Sequence, residues 1–188
     1  MAQPAFIPPD QLARVVVSAD QIARRNRELG ERIAGLYAGR ELTIMAVLTG
    51  AMIFLADLIR QIPLQMRLDV VSISSYPGTA TRSRGVRWQL PVSTDLSGRH
   101  VLIVDDIVET GQTLEAMIEE IGRMGPASLR TCVLLRKQRP DLTRRHEPDL
   151  VGFDVPDEFV VGYGLDYDNL YRNVPEICVL RQHAETPR

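Results

Sequence analysis

The chain has 188 residues, 45% of them hydrophobic and 24% charged, which excludes a wholly disordered polypeptide and suits one domain. A net charge of −2 excludes the strongly basic footprint of a dedicated nucleic-acid binder, and 5% aromatics argue against rows of stacking platforms for single strands. The segment MAQPAFIPPD has no basic stretch followed by an apolar core, so no signal peptide is expected. The longest apolar stretch, residues 44–58, is interrupted by Thr49, Gly50 and Asp57 and falls short of the ~20 residues a membrane span needs. The expectation is a cytoplasmic protein that touches neither membrane nor nucleic acid.

In chain order, residues 20–38 have helical spacing, with Ile22, Leu29, Ile33, Leu36 and Tyr37 on one face and Gly39 as a stop. Residues 43–48 (TIMAVL) read as a buried strand, residues 51–61 as a helix ended by Pro63, and residues 68–74 (LDVVSIS) as a second strand. Residues 75–90 form a polar loop with a hairpin near 86–90; a loop of that length inside a compact domain is commonly a lid. Residues 101–104 (VLIV) are a third strand, 113–124 an amphipathic helix stopped by Gly125-Pro126, and 129–135 a fourth strand. Shorter strands follow at 151–153, 159–162 and 177–180. Apolar strands alternating with helices predict an α/β fold with a parallel sheet covered on both faces. Such sheets bind ligands at the carboxyl ends of their strands, which directs attention to the loops after Leu48, Ser74, Val104, Leu135 and Gly162.

The strongest motif is VLIVDDIVETGQTL, residues 101–114. An apolar strand runs into Asp105 and Asp106, and Thr110-Gly111-Gln112-Thr113 opens a helix. Backbone N–H groups at a helix start, a glycine allowing close approach and two threonine hydroxyls make a phosphate cradle. Two acids beside it suit ribose hydroxyls or a hydrated Mg²⁺. The bland alternative is that Thr113 only caps its helix and the acids are solvated. No Gly-Lys-Ser/Thr follows, so this is not a Walker loop.

Cys132 and Cys178 sit in apolar runs and read as reduced core thiols. Lys137 is the single lysine among 22 basic residues, the others being arginine. Against that bias the exception is informative, because the two side chains are not interchangeable where a compact ammonium is needed.

The 101–114 segment resembles the phosphoribosyl-pyrophosphate motif of type I phosphoribosyltransferases. Further segments narrow the resemblance to the hypoxanthine-guanine phosphoribosyltransferases. They are Leu48-Thr49-Gly50-Ala51, similar to that family's pyrophosphate loop, Ser74-Ser75-Tyr76 at the start of its lid, and Leu135-Arg136-Lys137 in its purine-recognition segment. Residues 149–180 resemble its C-terminal purine and pyrophosphate region nearly throughout. The resemblance covers roughly residues 15–180.

What the resemblance implies is a single domain over residues 1–188, of the type I phosphoribosyltransferase fold. Its parallel sheet is flanked by helices, with a small hood from the N-terminal segment and the C-terminal part and a flexible lid at about 75–90. The implied reaction is purine salvage: phosphoribosyl pyrophosphate and a 6-oxopurine give IMP or GMP and pyrophosphate, with Mg²⁺ as cofactor. Thr110, Gly111, Gln112 and Thr113 are implied to hold the 5′-phosphate. Asp105 and Asp106 would face the ribose hydroxyls and Mg²⁺, with Asp166 on a second Mg²⁺. Thr49, Gly50 and Arg172 would meet pyrophosphate. Lys137 would donate to the purine 6-oxo group, Phe159 would stack on the ring and the Val160 backbone would read its far edge. Ser75 and Tyr76 would close as the lid. A homodimer or homotetramer is implied on the same ground.

Two positions depart from the family pattern. Thr49 stands where a lysine is usual, and Glu109 stands where the family has an aspartate near purine N7 acting as general base or acceptor. Glutamate keeps the carboxylate but extends it by about 1.5 Å, one C–C bond. Three outcomes are open: Glu109 acts as the base from a shifted backbone, it tunes purine choice, or it marks a chain that binds nucleotide and catalyses poorly. The competing functional class is therefore a regulatory nucleotide-binding module on the same fold. Lys137, Phe159 and Asp166 argue against it, because a pure regulator needs no purine pocket. A phosphoacceptor domain using Asp105 and Asp106 is the third reading, and the Thr-Gly-x-Thr cradle argues against that.

Overall fold

The structure, a computed structural model, describes residues 11–74, 87–139 and 143–181. A first strand, β1 (Leu12–Val17), precedes α1 (Ala19–Tyr37), β2 (Leu42–Leu48), α2 (Met52–Ile59) and β3 (Met66–Ser74). There follow β4 (Arg87–Leu90), β5 (His100–Val108), α3 (Gln112–Gly122), β6 (Ser128–Gln138), β7 (Leu150–Pro156), β8 (Val160–Val161) and β9 (Ile177–Leu180).

Six strands form one sheet in the order β4-β3-β2-β5-β6-β7. All neighbours are parallel except β4, which returns antiparallel along β3. Alternation along the strands divides the core. Ile44, Ala46, Leu102, Val104, Cys132 and Leu134 face α1 and α2, whereas Met45, Val47, Val101, Ile103 and Val133 face α3. A sheet covered on both faces needs strands without polar alternation, which is what β2 and the first half of β5 supply.

α1 starts at a capping box: Ser18 Oγ accepts from the Gln21 N–H at 3.3 Å, and Gln21 Oε1 accepts from the Ser18 N–H at 2.8 Å. Its buried stripe is Ile22, Asn26, Leu29, Gly30, Ile33 and Tyr37. Gly30 is required there, since a β-carbon would come within 2.5 Å of Gln61. Asp69 on β3 anchors the chain on its return from β4, accepting from the N–H groups of Ser93 and Thr94 at 2.9 and 2.8 Å.

A second, antiparallel sheet has the order β1-β9-β8. Leu12 pairs with Leu180 and Val17 with Ile177, so the two ends of the described chain meet in one small sheet. Both cysteines are free and buried, as their apolar contexts predict, and burial pushes the Cys132 thiol up to about 12. Among the described residues no helix is long and apolar enough to cross a membrane.

Candidate active site

The parallel strands bring their carboxyl ends to one edge, and most of the expected site residues gather there. Thr49 and Gly50 follow β2. Asp105 and Asp106 lie within β5 itself, which extends four residues beyond the predicted strand, to Val108. The extension is held by its partner: Asp105 pairs with Val133 and Ile107 with Leu135. Lys137 likewise lies inside β6, two residues past the predicted end, paired with Val155 of β7. Periodicity missed these extensions because it ends at the first charged side chain, whereas the ladder is made by the backbone.

The two aspartates are half-buried. Asp105 accepts from the Asp106 N–H at 2.9 Å, and Asp106 accepts from the Ile107 N–H at 2.8 Å. Burial pushes Asp105 well above the ordinary carboxylate range, and the Asp106 charge beside it pushes the same way. Burial also raises Asp106. Two crowded, poorly hydrated acids are relieved by a divalent cation. Mg²⁺ takes one or two carboxylates alongside phosphates and water, so this pair fits it. Among the described residues, no cluster of three or more His, Cys, Asp or Glu side chains forms a closed cage.

Gly50 is fitted against this pair. A β-carbon at position 50 would stand 1.7 Å from Asp106 Oδ2, so only glycine lets the loop and the carboxylate coexist. Gly164, at φ +104°, would place a β-carbon 2.2 Å from the Gly50 carbonyl oxygen. The turn beyond β8 therefore touches the loop after β2. That turn carries Arg172, whose Nη1 donates to the Gly164 carbonyl at 2.6 Å and whose Nη2 lies 2.8 Å from Asp166 Oδ1. Asp166 also accepts from the Asn169 N–H at 2.8 Å. The Arg172 charge is felt at Asp106. Gly50, Asp106, Asp166 and Arg172 are thus one neighbourhood, assembled from three separate stretches of chain.

The start of α3 is built as the motif suggested, with a glycine opening the helix. Gly111 is the N-cap, left-handed at φ 74°, and no side chain caps the helix; Thr113 is not the cap. Thr110 Oγ1 accepts from the Gln112 N–H at 3.3 Å. First-turn N–H groups without side-chain acceptors are available to an anion. Residues 145–146 cross behind the loop, the Arg145 N–H donating to the Thr110 carbonyl at 3.1 Å.

Lys137 is almost buried and its Nζ lies 2.5 Å from Glu109 Oε1 and 3.8 Å from Asp157 Oδ1. The Glu109 carboxylate thus sits against the ammonium of the chain's single lysine. Phe159 is 38% exposed and meets Tyr167 edge to face, with ring centroids 5.7 Å apart, while Val160 is buried in β8. Ser75 and Tyr76, expected in a lid, lie outside the described residues. The side chains at the site that escaped the sequence reading include Asp157, Tyr167 and Arg144, whose guanidinium reaches the backbones of both Glu109 and Lys137. One arginine among 21 carries no signal of its own.

The family model of the phosphoribosyl transferase domain matches residues 16–168. The hypoxanthine-guanine phosphoribosyltransferase of Mycobacterium avium is 42% identical over 186 residues, covering 95% of this chain and 91% of that one. The hypoxanthine-guanine-xanthine phosphoribosyltransferase of Tritrichomonas foetus is 34% identical, covering 94% and 96%. Among solved structures, the hypoxanthine phosphoribosyltransferase of Staphylococcus aureus superimposes with a TM-score of 0.88 at 34% identity, covering 98% of this chain and 100% of that one. With the acid pair, the α3 cradle and the Lys137–Glu109 pair on a common sheet edge, these likenesses agree, and the chain belongs to the hypoxanthine-guanine phosphoribosyltransferases of the phosphoribosyltransferase family.

Proposed function

We propose that the chain is a purine-salvage hypoxanthine (guanine) phosphoribosyltransferase. It moves the phosphoribosyl group of phosphoribosyl pyrophosphate to N9 of hypoxanthine or guanine, giving IMP or GMP and pyrophosphate. The observation that carries this reading is the 2.5 Å Lys137–Glu109 pair beside the acid pair and the α3 cradle. A 6-oxopurine offers a carbonyl acceptor and a ring N–H, and an ammonium beside a carboxylate complements both.

In this reading Thr110, Gly111, Gln112 and Thr113 hold the 5′-phosphate through main-chain N–H groups and hydroxyls. Thr49 and Gly50 offer main-chain contacts to pyrophosphate, joined by Arg172. That division makes the missing lysine at position 49 tolerable, because backbone donors and a guanidinium supply the anion contact. Asp105 and Asp106 face the ribose hydroxyls and Mg²⁺, with Asp166 near a second Mg²⁺ once Arg172 turns to the substrate. The metal supplies charge neutralisation of the departing pyrophosphate when bound. Lys137 donates to the 6-oxo group, Phe159 stacks on the ring and the Val160 backbone reads its far edge. Glu109 accepts the ring proton as N9 bonds to C1′ and the C1′–O bond to pyrophosphate breaks. Ser75 and Tyr76 belong to a lid that keeps water from the cationic ribose, and the β1-β9-β8 sheet is the hood. The assembly proposed is a homodimer or homotetramer, which light scattering measures.

The test is nucleotide formation from phosphoribosyl pyrophosphate with hypoxanthine, guanine, xanthine and adenine, with and without Mg²⁺. Mg²⁺-dependent turnover of hypoxanthine or guanine is expected. Absence of turnover with every purine overturns the enzymatic reading. Nucleotide binding without turnover would point instead to a regulatory relative.

A further inference from the structure

Arg144 stands where the pairing of β5 with β6 ends. The last paired residues of β5 and β6 are Val108 and Arg136. One residue further on each strand come Glu109 and Lys137, the two residues whose side chains meet at 2.5 Å. The pairing of the two strands ends just before them. The Arg144 guanidinium bridges them: Nε donates to the Glu109 carbonyl at 3.0 Å, and Nη2 donates to the Lys137 carbonyl. Its remaining nitrogen, Nη1, donates to Glu147 Oε1 at 3.2 Å.

The Arg144 side chain is only 11% exposed, so this is a built contact rather than a surface one. Its far side is rooted in the sheet. Glu147 Oε2 accepts from Arg136 Nη1 at 3.0 Å, and Arg136 grips Asp154 with two parallel hydrogen bonds of 2.6 and 3.0 Å. Burial opposes the charge on Glu147, yet Arg136 and Arg144 hold its carboxyl below the ordinary range. The main chain beside Arg144 also abuts the phosphate cradle: a β-carbon at Gly111 would lie 2.8 Å from the His146 carbonyl oxygen. One planar cation therefore spans two strand ends and is itself fixed on its third edge. Only a guanidinium has that fork; an ammonium in its place reaches one carbonyl at a time.

We infer that Arg144 is a positioning residue of the purine site, a strap that sets the spacing of Glu109 and Lys137 and through it the capture and turnover of the base. The inference rests on the proposed function, since it treats those two residues as purine-facing. Removing the strap takes a charged donor from both carbonyls and frees Glu109, beyond the end of β5, to shift against Lys137, which β7 still holds. A displacement of about 1 Å at a reacting group costs on the order of 10²-fold in rate.

The experiment is steady-state kinetics in both substrates on Arg144→Gln, Arg144→Lys and Arg144→Ala, with thermal melts and calorimetric binding of GMP. Arg144→Gln should lower kcat/KM for the purine by about 10- to 100-fold while KM for phosphoribosyl pyrophosphate stays within about threefold. Arg144→Lys should behave alike, because charge alone does not restore the fork. Low millimolar guanidinium ion, far below denaturing amounts, should partly restore Arg144→Ala, and sodium ion should not. Should the alanine variant fail to fold, Glu147→Gln loosens the same strap from outside and should give a smaller loss in the same direction. Folded variants whose purine kcat/KM stays at the wild-type value overturn the inference, as does a fall in melting temperature with unchanged purine parameters. A wild type that binds GMP without turning purine over removes the proposed function alone, and GMP affinity then decides the strap. A wild type that neither binds nor reacts removes both.

Discussion

Glu109 is the position where one methylene decides between roles. Its carboxylate sits 2.5 Å from Lys137 Nζ, so base and 6-oxo donor are neutralised by each other until the purine separates them. Shortening the side chain draws the carboxylate back by about 1.5 Å, one C–C bond. Glu109→Asp restores the residue usual in the family at this position and is expected to retain or raise kcat with hypoxanthine and guanine, because the ion pair to be broken weakens. Glu109→Gln keeps the length and removes the basicity, and kcat should fall about 10²-fold or more, the usual worth of a general base. Rates of both variants across the purine panel check this. A change of preferred base in Glu109→Asp would assign the residue to purine choice instead.

At the scale of elements, β3 shows a buried polar group anchoring a strand to the chain that follows it. Asp69 is 6% exposed and accepts from Ser93 N–H, Thr94 N–H, Val70 N–H at 2.9 Å and the Ser93 hydroxyl at 3.1 Å. Burial acts to raise it, and the Thr94 and Ser93 hydrogen bonds outweigh that and leave its pKa below the ordinary value of 3.8. A depressed carboxylate contributes stability that is present above the unfolded pKa and lost as pH falls through the folded one. Asp69→Asn should cost about 1–3 kcal/mol at neutral pH, the range for breaking hydrogen bonds to a buried charge. Its melting temperature should also fall less steeply than wild type below about pH 4, near the unfolded aspartate value. Melts from pH 2 to 7 test both statements.

The elements that were legible in the sequence are those whose apolar pattern was strong. The α1 stripe, β2, β3, the central strand into Asp105–Asp106 and β9 stand where the pattern put them. β1 was not read, because LARVVV has neither strict alternation nor flanking turn chemistry and becomes a strand only by pairing with β9. The same reason hides Arg144, Asn26 and the Gly50–Gly164 contact. Each takes its meaning from a partner far along the chain, which no local window contains.

At the scale of the whole molecule, a buried hydroxyl joins the apolar core in tying the two sheets together. Tyr163 follows β8 of the small sheet; its oxygen accepts from Asn26 Nδ2 of α1 at 2.8 Å and donates to Asp57 Oδ2 of α2 at 2.7 Å. Asn26 is 3% exposed and its Oδ1 accepts no hydrogen bond among the described residues, so its amide has no accepted bond to fall back on. Tyr163→Phe keeps the ring and strands the Asn26 amide. A loss of about 1–3 kcal/mol is expected, the penalty for an unsatisfied buried group. For a chain of this length that corresponds to about 2–4 °C in melting temperature per kcal/mol. Replacing both partners, in Asn26→Ala with Tyr163→Phe, should cost less than the two single losses combined, because the stranded donor leaves with its acceptor. The pH dependence is a separate signature. Burial first, and the Asp57 hydrogen bond next, raise the Tyr163 pKa, and burial pushes Tyr37 up to about 12. Groups raised on folding contribute stability that is intact below the unfolded tyrosine value of about 10 and is lost as pH climbs through the folded one. Wild type should therefore destabilise above about pH 10, with both tyrosines adding to the buried Cys132 thiol, and Tyr163→Phe should lose stability there with a shallower slope, since one raised group is gone. Equal slopes in the two proteins would show that the hydroxyl is ionised no differently in the folded and unfolded chain. The tie between the small sheet and the α1–α2 face would then rest on packing alone.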